Sequence, residues 1–225
     1  MKLNHWSAVG LQTAAQLLEL LQTRDRMPVL PTRLPEIDAL QGGGFHRGTL
    51  VQVCGPVTSG RMTIALAALA TATQGGEAAS LIEPAAHFDP QAAHVAGIQL
   101  DRLLWTRPKG IQESFLSAEL SLATGFSLVV LDLALLNSLP RYFPSAVWAR
   151  LARAAEEHQG IFIAVVPKGF PHPYCHVRIE TELVSTQQMG ADLLSNFRVH
   201  VTVHKRGGGV QAGNVTFFTR EALGR

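Results

Sequence analysis

A loop framed by two glycines, between an apolar segment and a helix, is the feature of this chain most specific for chemistry. Gly55 and Gly60 bracket four residues, which is the spacing of the phosphate-binding loop G-x-x-x-x-G-K-[ST]. Leu50 to Cys54 predicts a buried strand before the loop, and an alanine- and leucine-rich helix is predicted from Arg61. Backbone N–H groups at the start of such a helix favour an anion. The stretch therefore predicts the strand, loop and helix of a P-loop.

The residues after Gly60 depart from that pattern. Arg61 stands where the lysine belongs, and an arginine is larger, planar and hydrated differently. Met62 stands where a hydroxyl would bind magnesium, and a thioether is a poor ligand for that hard cation. Thr63 comes one position late, and a helix turns by about 100° per residue, so its side chain is expected to point elsewhere. Two interpretations remain open: a degenerate ATP site formed by these residues, or, as we favour, a loop kept for fold geometry. No cofactor is predicted, and ATP with magnesium is a weak candidate.

Asp132 is a second candidate for the same site. It ends the apolar, β-branched segment from Ser127, which predicts a strand. Side chains at the carboxyl ends of parallel strands converge on the binding crevice of an α/β sheet. Asp132 is therefore placed where a Walker B aspartate would hold magnesium through water. A helix cap or a loop hydrogen bond is the alternative role.

Other groupings of reactive side chains are weaker. His172, Cys175 and His176 lie close together, but the number of ligands and their spacing do not match a zinc site, so no metal is predicted. The chain has no glycine-framed nucleophile elbow and no H-E-x-x-H helix, which argues against a hydrolase. No catalytic residue is predicted, and the chain is not expected to be an enzyme.

Three basic side chains are candidates for binding DNA. Lys205 and Arg206 lie at a predicted hairpin tip before three glycines, and Lys168 follows an apolar strand. Lysine and arginine commonly contact the phosphate backbone. A solvated turn is the alternative at the hairpin tip.

Composition limits the class of protein. The chain has 225 residues, of which 47% are hydrophobic and 16% charged, with a formal net charge of +2. The low charged fraction suggests that a partner covers part of the surface, and the net charge argues against a global basic field for nucleic acid. The sequence shows no signal peptide and no apolar run that could span a membrane, so a cytoplasmic protein is expected.

Alternating strands and helices predict an α/β fold, with a mostly parallel sheet flanked by helices. We expect an N-terminal helix and linker at residues 1–30, and a core domain at 31–225 in which residues 166–225 form an antiparallel β extension. The predicted strands of the parallel part are Leu50 to Cys54, Ala79 to Ile82, Leu103 to Trp105, Ser127 to Asp132 and Ile161 to Val166. The segments Cys175 to Leu183, Phe197 to Lys205 and Asn214 to Thr219 alternate apolar and polar residues, as antiparallel strands with one wet face do.

The N-terminal segment has helical periodicity from Ser7 to about Asp25. Its apolar stripe includes Leu17, Leu18 and Leu21. The stripe packs either on the protein's own core or on a partner, and these three leucines are the candidate partner contacts.

The motifs together resemble the RecA family over most of the chain. LQGGGFHRGTLVQVCGPVTSGRMT is similar to that family's glycine-rich approach, strand and P-loop, and FSLVVLD to its Walker B strand. ASLIEPAAHFDP is similar to its second strand, and VRIETEL and FRVHVTVHK to its antiparallel extension. The resemblance implies a RecA-like core, and an N-terminal segment that docks on a neighbouring subunit.

The departures from that family imply lost catalysis. The family's water-activating glutamate falls on Ala85, and its two DNA-binding loops are shortened to roughly Asn137 to Pro144 and Pro167 to Pro173. A RecA-like core with a degenerate P-loop most resembles ImuA, an accessory factor of bacterial SOS mutagenesis and translesion synthesis. That resemblance implies an ImuB-like polymerase-family protein, an error-prone DnaE-type polymerase and RecA as partners, and allows self-association. An ATP-binding RecA-type recombination ATPase and a SulA-like cell-division inhibitor that binds FtsZ are the alternatives.

Overall fold

The computed structural model describes residues 28–135, 144–170, 174–189 and 193–218. The predicted N-terminal helix, with Leu17, Leu18 and Leu21, lies outside the described residues, as do most of the first shortened loop and the end of the second. Within the described ranges, no helix has both the length and the apolar character needed to cross a membrane.

The apolar segments of the chain form one eight-stranded sheet and a separate two-stranded ribbon. The ribbon pairs β1 (Val29–Leu30) with β2 (Phe45–His46). The sheet has the strand order β10-β9-β8-β3-β7-β6-β4-β5. Its strands are β3 (Leu50–Gly55), β4 (Ala79–Ile82), β5 (Leu103–Thr106), β6 (Leu128–Asp132), β7 (Ile161–Pro167), β8 (Val177–Met189), β9 (Leu193–Lys205) and β10 (Val210–Phe218). The five adjacent strands β3, β7, β6, β4 and β5 are mutually parallel, which confirms the predicted α/β class.

Helices cover both faces of the parallel strands, and this explains why those strands are apolar throughout. In β6, for example, Leu128 and Val130 belong to one core, and Val129 and Leu131 belong to the other. The first core is closed by α1 (Pro35–Gln41), α2 (Arg61–Gln74) and α3 (Pro90–Val95). The second is closed by α4 (Ile111–Ala123) and α5 (Ser145–Glu157), with Trp148 at its centre.

The C-terminal strands differ from the prediction in how they join the sheet. The β8–β9 and β9–β10 pairs are antiparallel, as expected. However, β8 also pairs in parallel with β3, with Val51 opposite Val177 and Cys54 opposite Glu180. The extension therefore continues the main sheet and brings β8 directly beside the strand that leads into the glycine loop. All three strands are also longer than the alternating segments from which they were predicted.

Candidate functional site

The glycine loop connects the carboxyl end of β3 to the start of α2, as the spacing predicts. Gly60 adopts the left-handed region, with φ +81°, immediately before the helix. A Cβ atom at this position would lie 2.7 Å from the ring of Phe217, which is closer than van der Waals contact allows. Gly60 is therefore required by the approach of β10 as well as by its own backbone conformation.

The first glycine of the loop is also enclosed by protein. A Cβ atom at Gly55 would overlap Thr181 Oγ1 and Ser59 Oγ. These two hydroxyl oxygens lie 2.6 Å apart, and Thr181 Oγ1 also donates to Cys54 O at 3.3 Å. The loop is thus tied to β8 by side-chain hydrogen bonds. Close packing is therefore enough to explain why positions 55 and 60 are glycine, without a bound phosphate.

Arg61, the first residue of α2, turns its guanidinium into the protein. Its Nη1 donates to Gly55 O at 2.5 Å, and its Nη2 donates to Ala134 O at 3.2 Å. The residue is 6% exposed. Burial lowers the pKa of Arg61, an effect that the nearby Asp132 carboxylate and Cys54 partly oppose. Its cation is thus bound by two neutral carbonyl oxygens of the loop and of the segment after β6.

The residues after Arg61 offer little to a metal ion. Met62 packs partly against the first core, and both Met62 and Thr63 line the cavity described below. Thr63 therefore remains at the site, which differs from the expectation that one helical step would turn it away. Among the described residues, no group of three histidine, cysteine, aspartate or glutamate side chains could hold a metal ion.

Asp132 is held at the end of β6 beside Arg61. Its Oδ1 accepts a hydrogen bond from the N–H of Ala134 at 2.9 Å, so the carboxylate supports the turn after the strand. Asp132 is 8% exposed, and within the described residues no hydrogen bond is found at its Oδ2. Burial raises the pKa of Asp132, and the Ala134 hydrogen bond and the Arg61 charge oppose that effect. The predicted loop hydrogen bond and the predicted position at the crevice are therefore both present.

Glu83 is a second carboxylate at this edge that the sequence reasoning did not select. It follows β4, the neighbour of β6, and is 2% exposed. Its Oε1 accepts from the N–H of His87 at 2.8 Å, and its Oε2 accepts from the N–H of Phe88 at 3.3 Å. The rule applied to Asp132, an acidic residue directly after a buried parallel strand, could have identified Glu83. Ala85 lies in the turn that follows and brings no carboxylate.

A cavity of about 750 Å³ opens at this edge of the sheet. Its polar lining includes Arg61, Glu83, Asp89 and Asp132, and most of the remaining surface is apolar. The apolar side chains come from the loop, α2, the turn before α3, α3 itself, the segment after β6, and strands β8 and β9. They include Val57, Met62, Leu66, Phe88, Ala92, Ala93, Ala134, Leu135, Leu183 and Phe197.

The predicted basic residues are not brought to this cavity. Lys168 follows the carboxyl end of β7, and its Nζ lies 3.9 Å from Glu182 Oε1. Lys205 lies opposite Val177, at the other end of β8, and its Nζ donates to Gln41 O at 3.1 Å. Arg206 begins the adjoining turn. The three residues therefore do not form one basic patch.

The histidine and cysteine grouping is engaged in backbone contacts. Cys175 Sγ donates to Val177 O at 2.6 Å, and burial raises the pKa of this thiol to about 12. Nδ1 of His176 accepts from the N–H of Leu50 at 3.0 Å. His172 lies outside the described residues.

Comparison with known proteins places these features in a family. Residues 16–141, a span that contains the glycine loop, Glu83 and Asp132, match the family described as RecA N-terminal domain. Protein RecA of Bacillus licheniformis is 32% identical over 126 residues, which are 56% of this chain and 35% of that protein. Protein RecA of Corynebacterium urealyticum is 33% identical over 108 residues, 48% of this chain and 28% of that protein. The matches thus span about a third of the length of these curated relatives.

A solved structure extends the likeness beyond the family match. The crystal structure of the RadB recombinase resembles this fold with a TM-score of 0.63. The likeness covers 83% of this chain and 94% of that chain at 19% identity. At that identity it shows a shared fold.

Proposed function

The chain belongs to the RecA N-terminal domain family, and we propose that it is a non-catalytic member that uses the former nucleotide face to bind protein partners. The observation that carries the proposal is the binding of the Arg61 guanidinium by Gly55 O and Ala134 O. In a working P-loop the cation at this position must reach the phosphates of the nucleotide. Releasing this guanidinium would leave the buried carbonyl oxygen of Gly55 without this donor, which costs about 1–3 kcal/mol, and would also remove the donor of the partly buried Ala134 O.

The neighbouring positions support the same proposal. Met62 cannot supply a hydroxyl to magnesium, and Ala85 cannot move a proton to or from an attacking water. Glu83, the nearest buried carboxylate on that segment, already accepts two backbone hydrogen bonds. Binding energy from the glycine loop alone would not provide the transition-state contacts that phosphoryl transfer needs.

The cellular role that we propose is an accessory function in the bacterial DNA-damage response, in error-prone translesion synthesis. It is supported by the resemblance of the degenerate core to ImuA-like proteins. The proposed partners are an ImuB-like protein of the polymerase family, an error-prone DnaE-type polymerase and RecA, with self-association as a further mode. The low charged fraction of 16% and the apolar lining of the cavity both suit a surface that a protein covers.

ATP turnover by the purified protein, with and without single-stranded DNA, tests the absence of catalysis. We expect no turnover above a protein-free blank in either condition. A gain-of-function variant, Arg61→Lys combined with Met62→Thr, restores the P-loop residues and is expected to bind ATP more tightly than the wild type. Wild-type turnover that Arg61→Ala abolishes would overturn the proposal.

Pairwise binding of purified proteins tests the cellular role. Immobilised protein is presented in turn with an ImuB-like protein, a DnaE-type polymerase, RecA and FtsZ from the same bacterium. We expect saturable binding of at least one of the first three and none of FtsZ. Binding of FtsZ alone would favour a cell-division inhibitor instead.

A further inference from the structure

The cavity beside the glycine loop has an exposed apolar mouth. Val57 is 63% exposed, and Leu135 and Leu183 are each 38% exposed, and all three line the cavity. Val184, next to Leu183 at an irregularity in β8, is exposed as well. Exposed apolar side chains around the entrance of a cavity of about 750 Å³ are typical of a surface that another molecule covers.

The charges inside the cavity are mainly negative. Glu83, Asp89 and Asp132 line it, and the guanidinium of Arg61, although close by, donates to backbone carbonyls. Asp89 Oδ1 caps α3 by accepting from Gln91 N at 2.8 Å. Asp132 is 8% exposed, and among the described residues its hydrogen bond is made by Oδ1. The other carboxylate oxygen, Oδ2, can therefore accept a hydrogen bond from a ligand.

We propose that the cavity binds an apolar segment of a partner protein that carries an arginine or lysine, and that this basic side chain pairs with Asp132 beside Glu83. The proposal rests on the proposed function, since it assigns a peptide to the face where catalytic relatives hold nucleotide. Charge complementarity selects this occupant. A triphosphate would bring several negative charges to these carboxylates, whereas a purely apolar segment would cover Asp132 without donating a hydrogen bond to its Oδ2, since the nearby Arg61 donates to backbone carbonyls.

Synthetic peptides with one variable residue test the proposal directly. The probes are fluorescein-labelled peptides with the same apolar sequence, identical except for a central arginine, leucine or glutamate. Fluorescence polarisation with the full chain is expected to show the arginine peptide binding at least about tenfold more tightly than the glutamate peptide, because a like charge beside buried carboxylates is strongly disfavoured. Equal affinity for these two peptides would overturn the proposal.

Protein variants locate the contact. Asp132→Asn keeps an oxygen for the N–H of Ala134 but removes the charge, and it should reduce the preference for arginine over leucine to within about threefold. Leu183→Glu should weaken all three peptides. Leu116→Glu is the matched control, because Leu116 is 62% exposed on α4 and does not line the cavity. Equal effects of the two leucine substitutions would place the peptide elsewhere and reject the proposal.

Two further measurements separate this proposal from the proposed function. If neither ATP nor any peptide binds up to millimolar concentration, the cavity proposal fails while the absence of catalysis stands. If ATP is hydrolysed and displaces the arginine peptide, the proposed function fails. Sedimentation of the protein alone provides the last test, since self-association that Leu183→Glu abolishes and Leu116→Glu preserves would show that a second copy fills the cavity, which overturns the assignment to another protein.

Discussion

A buried arginine side chain lies at the amino edge of the parallel strands, where they begin, and another lies at the carboxyl edge, where they end. The two arginines are bound differently. At the amino edge, Arg47 Nη2 donates to Glu77 Oε1 and Oε2 at 2.7 and 2.8 Å. Its Nη1 donates to Ser127 O at 3.0 Å. At the carboxyl edge, the hydrogen bonds that Arg61 makes within the described residues go to backbone carbonyls, to Gly55 O at 2.5 Å and to Ala134 O at 3.2 Å. Asp132 is nevertheless close enough to influence the pKa of Arg61.

The difference sets a structural edge apart from the edge at which we propose partner binding. Arg47 and Glu77 compensate each other's charge, so the amino edge needs no further partner. At the carboxyl edge, Asp132 and Arg61 are both buried and interact electrostatically, but each takes its hydrogen bonds from backbone groups. Burying charges that are not directly paired lowers the stability of a folded protein. They are expected where a ligand or partner completes the site.

Removing the guanidinium from the amino edge should have the largest effect on stability. Arg47→Met keeps an apolar stem but leaves the Glu77 carboxylate, whose side chain is only 14% exposed, without its cation, and the expected loss is about 3–5 kcal/mol. Urea unfolding, followed by circular dichroism, measures it. A loss below about 1 kcal/mol, the value typical of surface pairs, would show that this edge is solvated and would remove the contrast.

Gly60→Ala tests whether the carboxyl edge is closed by packing. The substitution places a Cβ against the Phe217 ring and strains a backbone at φ +81°, so a loss of about 2–4 kcal/mol is expected. Gly207→Ala is the matched control, because Gly207 has φ +72° and no atom within 4 Å of the added Cβ. It should lose about 1–2 kcal/mol. Equal losses in the two variants would mean that Phe217 does not restrict the loop.

Arg61→Met is the counterpart of Arg47→Met and should cost less. The variant leaves the carbonyl oxygens of Gly55 and Ala134 without a donor but also removes a buried cation. We expect a net loss of about 1–2 kcal/mol in the same urea experiment. A loss as large as that of Arg47→Met would indicate that Arg61 forms a direct ion pair, and the two edges would then be alike.

The parts of this site that depend on local pattern were predictable. The apolar strand Leu50–Gly55, the helix from Arg61 and the placement of Asp132 at the crevice all follow from hydrophobic runs and glycine spacing. The rule that an acidic residue directly after a buried parallel strand lies at the crevice could also have predicted Glu83. The hydrogen bond from Arg61 to Ala134, 73 positions away in sequence, was not predictable, because it depends on which strands become neighbours.

The packing of the glycine loop was beyond sequence reasoning for the same reason. Phe217 and Thr181 restrict Gly60 and Gly55 only because β8 pairs with β3 in parallel and brings the extension over the loop. The alternating pattern of the C-terminal segments predicts strands with one wet face, but it does not determine their partners. The preference for a loop kept for geometry was thus reached without the contacts that support it.

The smallest expected effect is a change in the pH dependence of stability in Asp132→Asn. Burial raises the pKa of Asp132, so between the ordinary aspartate pKa and this raised pKa the folded state binds more protons than the unfolded state. The free energy of unfolding therefore falls as pH rises through that window. Asparagine removes this contribution, so the variant should gain stability relative to the wild type as the pH rises from the ordinary aspartate pKa of about 3.9 through the raised pKa of Asp132. If Arg61 instead held Asp132 in a direct ion pair that lowered its pKa, the relative stability would change in the opposite direction. Urea midpoints of both proteins, measured at each pH, decide between these signs.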